Sequence, residues 1–387
     1  MALQPYKGAN TAQFYVAELT PGVTPTSPSW SPLRNTGGIP AVTRDALVSN
    51  ELDGSREVSS IRTGNKQVAG EYAIELSASS QDELLAGAMT SSWQSGSTVA
   101  SLTINVSASA KTFTRATGDF TTAVGVGDLV RFPGLAGGNA LPFVVTAVTP
   151  LVITGAAISH TLTNQTAAAS GLVIADKLET GNLCKTFSVL TWFKGTCGGA
   201  DSYLLTKGVE FSGFTIEQAV NAMVTGSFPF IGLSQEILTA PPAGSTFTVN
   251  FDAQPFASVD VSAFNGTAPL KLIDTFTITN DNAASAQFEL GNSSVAFVER
   301  GRASNTFSLA GKLYDTTLLN LFLNETQIEL TSILAGPDGA MSFTLKRADI
   351  TAATPEIGGP ESVTLSLEGQ ATGNSILSSI VIQRIAY

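Results

Sequence analysis

Along most of this chain, apolar and polar residues alternate over stretches of four to eight positions. Gly, Asn, Ser and Thr separate these stretches, a pattern that predicts strands joined by turns. The run Val68 to Leu76 puts Val68, Gly70, Tyr72, Ile74 and Leu76 on one face, and Val363 to Glu368 alternates as cleanly. Two segments depart from this period. Gln81–Met89 and Thr316–Asn324 each predict a helix of about two turns. Each follows a polar start signal, Ser79-Ser80-Gln81-Asp82 in one case and Asp315-Thr316-Thr317 in the other.

The two helices belong to a longer internal correspondence. Gly64 and Gly301 both end short apolar-basic stretches, and 301 − 64 = 237. The same shift pairs Val58 with Val295, Tyr72 with Leu309, Leu76 with Leu313 and Leu84 with Leu321. Later strands correspond at another shift: Val209 with Ala348, Phe211 with Ile350, Val224 with Val363 and Phe228 with Leu367, where 348 − 209 = 139. The difference, 237 − 139 = 98, is the excess carried by the first copy. That excess has its own short strands, Ser101–Val106, Gly127–Phe132, Phe143–Val148 and Gly171–Ile174. The expected organisation is a discontinuous first unit (1–97 and 183–236), a small inserted β domain (98–182) and a second unit (237–387). The linker lies near Leu233 to Gly244, through Ala240-Pro241-Pro242-Ala243. The fold class is therefore mainly β, one strand-helix-strand unit used twice with a small β domain inserted in the first copy.

Composition narrows the setting. Only 13% of the 387 residues are charged, about half the share usual in soluble proteins. So sparse a charge suits a surface covered by other subunits. Asp and Glu number 31 against 20 Lys and Arg, for a net charge of -11. That excludes a groove that grips phosphates, since affinity there comes from basic residues displacing counterions. Met1 to Phe14 lacks the regions of a signal peptide, and no run of 18 apolar residues predicts a membrane span. Cys184 and Cys197 are expected to be reduced, and with the single His160 they make no metal set.

The chain carries no catalytic or cofactor motif. It has neither a phosphate loop nor a nucleophile elbow, and Gly134-Leu135-Ala136-Gly137-Gly138 lacks the Lys and the helix of a phosphate cradle. Asn280-Asp281-Asn282 carries part of a calcium-loop pattern without its Gly or distant Glu, so it reads as a turn. His160 has no Ser or Asp in a recognisable relay. The neighbouring carboxylates Glu51 with Asp53 and Asp82 with Glu83 could in principle share acid and base roles. The second pair, however, starts a helix, where negative charge is expected on dipole grounds. Trp30, Trp93 and Trp192 are too dispersed for a stacking platform and are assigned to packing. The expectation is a non-enzymatic protein without cofactors or metals.

The opening carries a more specific signal. Tyr15-Val16-Ala17-Glu18, Pro21-Gly22-Val23-Thr24-Pro25 and Trp30-Ser31-Pro32-Leu33-Arg34 precede Ser49 to Arg56. Arg62-Thr63-Gly64, Val68-Ala69-Gly70-Glu71, Asp82-Glu83-Leu84-Leu85 and Trp93 follow in order. Lys111–Arg115, Val126–Arg131, Thr225–Gly232, Leu345–Arg347, Glu356–Gly359 and Ile382–Arg384 continue the set. This ordered series resembles the tail tube proteins of siphophages, in the branch with a duplicated tube domain and an inserted small β domain.

The resemblance implies two tail-tube units, each a β-sandwich or half-barrel with one short flanking helix, and a barrel-like insert, in a structural virion protein, made in the host cytoplasm, whose sheets join between subunits into a barrel around a lumen. Rings would stack into the hollow tail through which double-stranded DNA passes to the host. The implied partners are other copies of the chain, a tape measure protein in the lumen, and tail-tip and tail-terminator proteins. Since the family's rings hold six tube domains, a chain with two of them implies a trimeric, pseudo-hexameric ring. Contacts between stacked rings are expected in the polar segments around Ser49–Gly64 and Asn280–Arg302, through Glu51, Asp53, Arg56, Arg62, Glu299, Arg300 and Arg302. The competing reading is a secreted β-domain adhesin, surface-layer or carbohydrate-binding protein. It predicts an export signal, calcium loops or clustered aromatics, none of which the sequence carries.

Overall fold

The computed structural model describes residues 5–52, 54, 56–155, 160–197, 199–249, 252–374 and 376–387. The alternating segments form strands that pair antiparallel, so each buries its apolar side on one face. The fold is mainly β, with a half-barrel sheet.

In the N-terminal part the principal elements are β1 (Thr11–Ala17), β2 (Ala41–Val48), β3 (Ile61–Glu75) and helix α1 (Asp82–Ala88). They are followed by β4 (Phe187–Phe193), β5 (Ser202–Phe211), β6 (Gly213–Ala219), β7 (Thr225–Gly232) and β8 (Ser234–Leu238). The C-terminal part contributes β9 (Val261–Asn265), β10 (Ile273–Asp281), β11 (Ser304–Lys312) and α2 (Thr317–Leu323). It ends with β12 (Ile328–Ala335), β13 (Gly339–Glu356), β14 (Thr364–Ala371) and β15 (Ile380–Ala386).

The same series of pairings occurs in both parts. One layer runs β1–β4–β5–β8 in the first and β9–β12–β13–β15 in the second. The other runs β2–β3–β7–β6 and β10–β11–β14–β13, the last through the C-terminal half of the long β13. Register repeats as well. Tyr72 faces Phe228 and Leu309 faces Leu367, separations carrying the shifts 309 − 72 = 237 and 367 − 228 = 139. The helices differ: α2 starts 317 − 82 = 235 residues after α1 because its preceding turn is two residues shorter, so Leu84 corresponds to Leu319 rather than Leu321.

Strand β6 pairs with β10 along seven residues, from Gly213 with Asp281 to Ala219 with Thr275. This joins the two four-strand layers into one eight-strand run, β2–β3–β7–β6–β10–β11–β14–β13. Beneath it lies a single core spanning both parts, with Tyr72 stacked on Phe230 at 4.5 Å and Phe214 meeting Phe343 at 6.5 Å. Helix α1 buries Leu84 to Ala88 against that core. Gly87 is needed there, since a Cβ would sit 2.9 Å from the Phe187 ring and 3.1 Å from Phe211. No residue of α2 is buried to that degree. Just beyond α1, the Met89 and Thr90 carbonyls accept from the Gly181 and Leu183 N–H groups.

The described residues between Thr98 and Ile174 form a separate seven-stranded sheet with its own core, in which Phe113 stacks on Phe132 and on Phe143 at 4.8 and 4.6 Å. This unit rests on the β9–β12–β13–β15 layer of the C-terminal part, where Leu129, Val144 and Ala175 pack on Phe264, Ile333, Ala340 and Ile385. The matching face of the N-terminal part is covered differently. There Trp30, Phe14, Leu190 and Tyr203 pack together, with Phe247 from the chain that crosses to the second part laid against them.

Candidate assembly surface

The polar groups singled out by sequence are absorbed by packing. Asp82 pairs with Arg384 and Glu83 with Lys185, at 3.2 Å in the second case. Asn280 is buried and donates to Asn305 at 2.9 Å, while Asn282 donates to the Ala88 carbonyl at the end of α1 at 2.6 Å. His160 is held by burial at about 4, well below the ordinary imidazole value, and is therefore neutral near pH 7. Among the described residues, no three His, Cys, Asp or Glu side chains converge as metal ligands do. Cys184 and Cys197 are both free and exposed. Glu18 is a carboxylate in a structural role, accepting from Gly22 N–H (2.7 Å), Ser188 Oγ (2.6 Å) and Gly208 N–H (2.9 Å).

What stands out instead is the eight-strand run itself. Its two terminal strands have no partner on their outer edges among the described residues. All eight residues of β2 are exposed, and β13 beyond Asp349 pairs only with β14. Unblunted edges of this kind are templates for further pairing. They also match each other. Ala41 faces Ala69 as Thr279 faces Thr306, where 306 − 69 = 237. Thr354 faces Ser366 as Thr215 faces Ser227, where 366 − 227 = 139. Within the chain Thr215 and Thr279 face each other, with their hydroxyls 3.3 Å apart. The free edges therefore hold the places that β6 and β10 hold in the internal junction.

The face of the run turned away from the core is hydroxyl-rich and acidic. Thr215, Thr277, Thr279, Thr306, Ser308 and Ser366 occupy it with Glu71, Glu75, Glu217 and Glu368, against Lys312. The sequence signal for it is the polar half of each alternating strand, which is silent about its position until the strands are assembled.

Of the residues expected at ring contacts, Glu51 and Arg56 lie on the connection β2–β3, Arg62 at the start of β3, and Glu299, Arg300 and Arg302 on the connection β10–β11. Strands alternate in direction across the run, so both connections leave it at the same end. Glu51, Arg56, Arg62, Glu299 and Arg302 are exposed there, and Asp53 lies outside the described residues. Arg300 differs: it turns inward to Glu210 at 2.5 Å and donates to the Leu183 carbonyl at 3.2 Å. Burial pushes the Glu210 carboxyl up, against the opposing pull of Arg300. The β10–β11 connection also reaches across to the N-terminal part, where the Lys66 N–H donates to the Ser293 carbonyl at 2.7 Å.

A family model described as phage tail tube protein matches residues 8–371. A comparison with curated proteins finds no match.

Proposed function

Because the chain belongs to the phage tail tube protein family, we propose that it closes edge to edge with two further copies into a ring, and that rings stack into a tail tube. The observation that carries this reading is the correspondence between the free edges and the internal junction. The pairing of Thr215 with Thr279 inside the chain would recur between chains as Thr354 with Ala41. The chain is then two copies of one tube unit, residues 1–97 with 183–236 and residues 237–387, with 98–182 inserted in the first. Alternating internal and external junctions give pseudo-sixfold symmetry from three chains.

Barrel geometry favours three. Strands about 4.8 Å apart and tilted roughly 40° close 3 × 8 = 24 strands at a backbone diameter of about 48 Å, against about 32 Å for 16. Side chains take roughly 10 Å of either. Two chains would leave a bore hardly wider than a DNA duplex, while three leave a free channel.

The acidic, hydroxyl-bearing face then lines the lumen. Glu71, Glu75, Glu217 and Glu368 repel phosphates, and so few cations face them that DNA slides without being held. A tape measure protein would occupy the same space before ejection, with tail-tip and terminator proteins at the two ends. The insert, carried on the outer layer of the second unit, faces away from the lumen. Glu51, Arg56, Arg62, Glu299 and Arg302 sit where the next ring would meet this one, and opposite charges there set register. Native mass spectrometry of solubilised rings tests the stoichiometry. Three 40.0-kDa chains per ring is the expected result, and six chains with true sixfold symmetry would overturn it.

A further inference from the structure

Two cavities of this molecule occupy corresponding places in its two parts, and one lacks a lining segment that the other has. The first, about 410 Å³, lies between Ala263, Leu270 and Ile273 on one side and Gln218, Ala219 and Val220 on the other. The second, about 260 Å³, is bounded by Gln13, Leu33 and Thr36. Their backbones correspond: Leu270 donates to the Ala263 carbonyl and Leu33 to the Gln13 carbonyl, both at 2.9 Å. The second cavity has no counterpart of the Gln218–Val220 wall. By the register of β6 and β13, in which 354 − 215 = 139, that wall corresponds to Ile357, Gly358 and Gly359. These lie just past the free edge of β13, and Ile357 is 77% exposed.

A second pair of positions has the same asymmetry. Ile382 lies between Phe343 and Leu178 of the strand Asp176–Glu179 and is fully buried, while Ile237 faces Leu204 in the corresponding place, has no strand on its other side among the described residues and is 77% exposed. Phe343 is covered by Phe214 of the N-terminal part, whose own counterpart at the 139 shift is Ala353, beside the free edge. In each comparison the C-terminal position is closed by the N-terminal part of the same chain. The N-terminal position is left open.

We infer that Ala353–Ile357 of one chain closes this surface of the next, with Ile357 seated in the cavity of Gln13, Leu33 and Thr36, and Ile237 and Leu204 buried beside it. The occupant is a second copy of the chain, and the inference rests on the ring reading above. It adds a side-chain lock to the backbone pairing. Gln218 reaches Ser332 by a 2.7 Å hydrogen bond at the internal junction. Ile357 in its place cannot make such a bond, so the two junctions of the ring are not interchangeable.

The test compares wild type with Ile357→Asp, Ile237→Asp and Val126→Asp, the last an exposed apolar position on the insert. All three replaced side chains are exposed in the free chain, so circular dichroism and melting of the unassembled protein should be unchanged. Ring yield at fixed concentration, read by analytical ultracentrifugation, should fall at least tenfold for Ile357→Asp and Ile237→Asp and stay at the wild-type level for Val126→Asp. Rings formed equally well by Ile357→Asp and wild type would overturn the lock while leaving the ring reading in place. A wild-type chain that forms no rings would overturn both.

Discussion

Gln383, in the last strand, grips the insert beside Leu129 with both ends of its side-chain amide. It accepts from the Leu129 N–H and donates to the Gly127 carbonyl, each at 2.8 Å. The insert is thereby fixed to the part of the chain farthest from it in sequence. Replacing Gln383 by Leu leaves a buried N–H and a carbonyl without partners, at a cost of roughly 2–4 kcal/mol. Urea unfolding should show the loss as a lower midpoint, and an unchanged midpoint would show that the two bonds contribute nothing.

Excising Thr98–Ile174 tests whether the insert is dispensable decoration. Its ends are close, because the Ile174 N–H donates to the Ser97 carbonyl at 2.8 Å, so Ser97 can be joined to Ala175. The excision uncovers Phe264, Ile333 and Ile385. The shortened chain should bind an apolar dye strongly and lose solubility. A soluble, dye-silent product would contradict the covering role.

The ion pair of Glu210 and Arg300 makes a pH prediction. The folded-state pKa of Glu210 is raised by burial. Its contribution to stability is therefore fully present below the ordinary value of 4.5 and is lost as pH rises through the raised value. Arg300→Ala removes the compensating charge, and the variant should be less stable than wild type at pH 7 by about 3 kcal/mol. The gap should narrow as the pH is lowered and Glu210 takes up its proton. Thermal melts at pH 7 and pH 5 measure it; a gap independent of pH would assign the loss to packing of Arg300 alone.

Charge on the hydroxyl-bearing face should control contact with DNA. Replacing Glu71, Glu217 and Glu368 by Lys changes that face by six charges per chain and leaves the core untouched. Assembled tubes of this variant should retain duplex DNA at low salt and release it as salt rises, where wild-type tubes retain none. Equal behaviour of the two would place these residues away from the lumen.

Much of this architecture could be read in the sequence, because alternation encodes faces directly. Thr364–Ala371 has the expected buried and exposed positions at every residue, and Tyr72 faces Phe228 as Leu309 faces Leu367. What alternation cannot encode is which distant group a polar residue meets. Arg300 read as an exposed contact residue, but its partner Glu210 lies 90 residues earlier, in another strand. Asp82 read as a helix-start charge and is held instead by Arg384, 302 residues away. The expected two-helix correspondence was off by two because turn length leaves no trace in periodicity. Trp30 and Trp192, scattered in sequence, share one cluster through Phe14 and Phe247, as packing rather than as a stacking platform.

In the proposed ring, β2 of one chain pairs with the C-terminal half of β13 of the next, with Ala41 opposite Thr354. Cysteine pairs test it most directly. In a background with Cys184 and Cys197 changed to Ser, Ala41→Cys with Thr354→Cys places two thiols on directly opposed residues, whose Cα separation of about 4.5–5.5 Å suits a disulfide. A Thr43→Cys with Thr354→Cys control is two residues out of register. Mild oxidation of assembled tubes should link the first pair into dimers and closed trimers on a non-reducing gel and leave the control largely unlinked. Tubes in which the Ala41–Thr354 pair stays reduced, or in which the control links instead, would contradict the account.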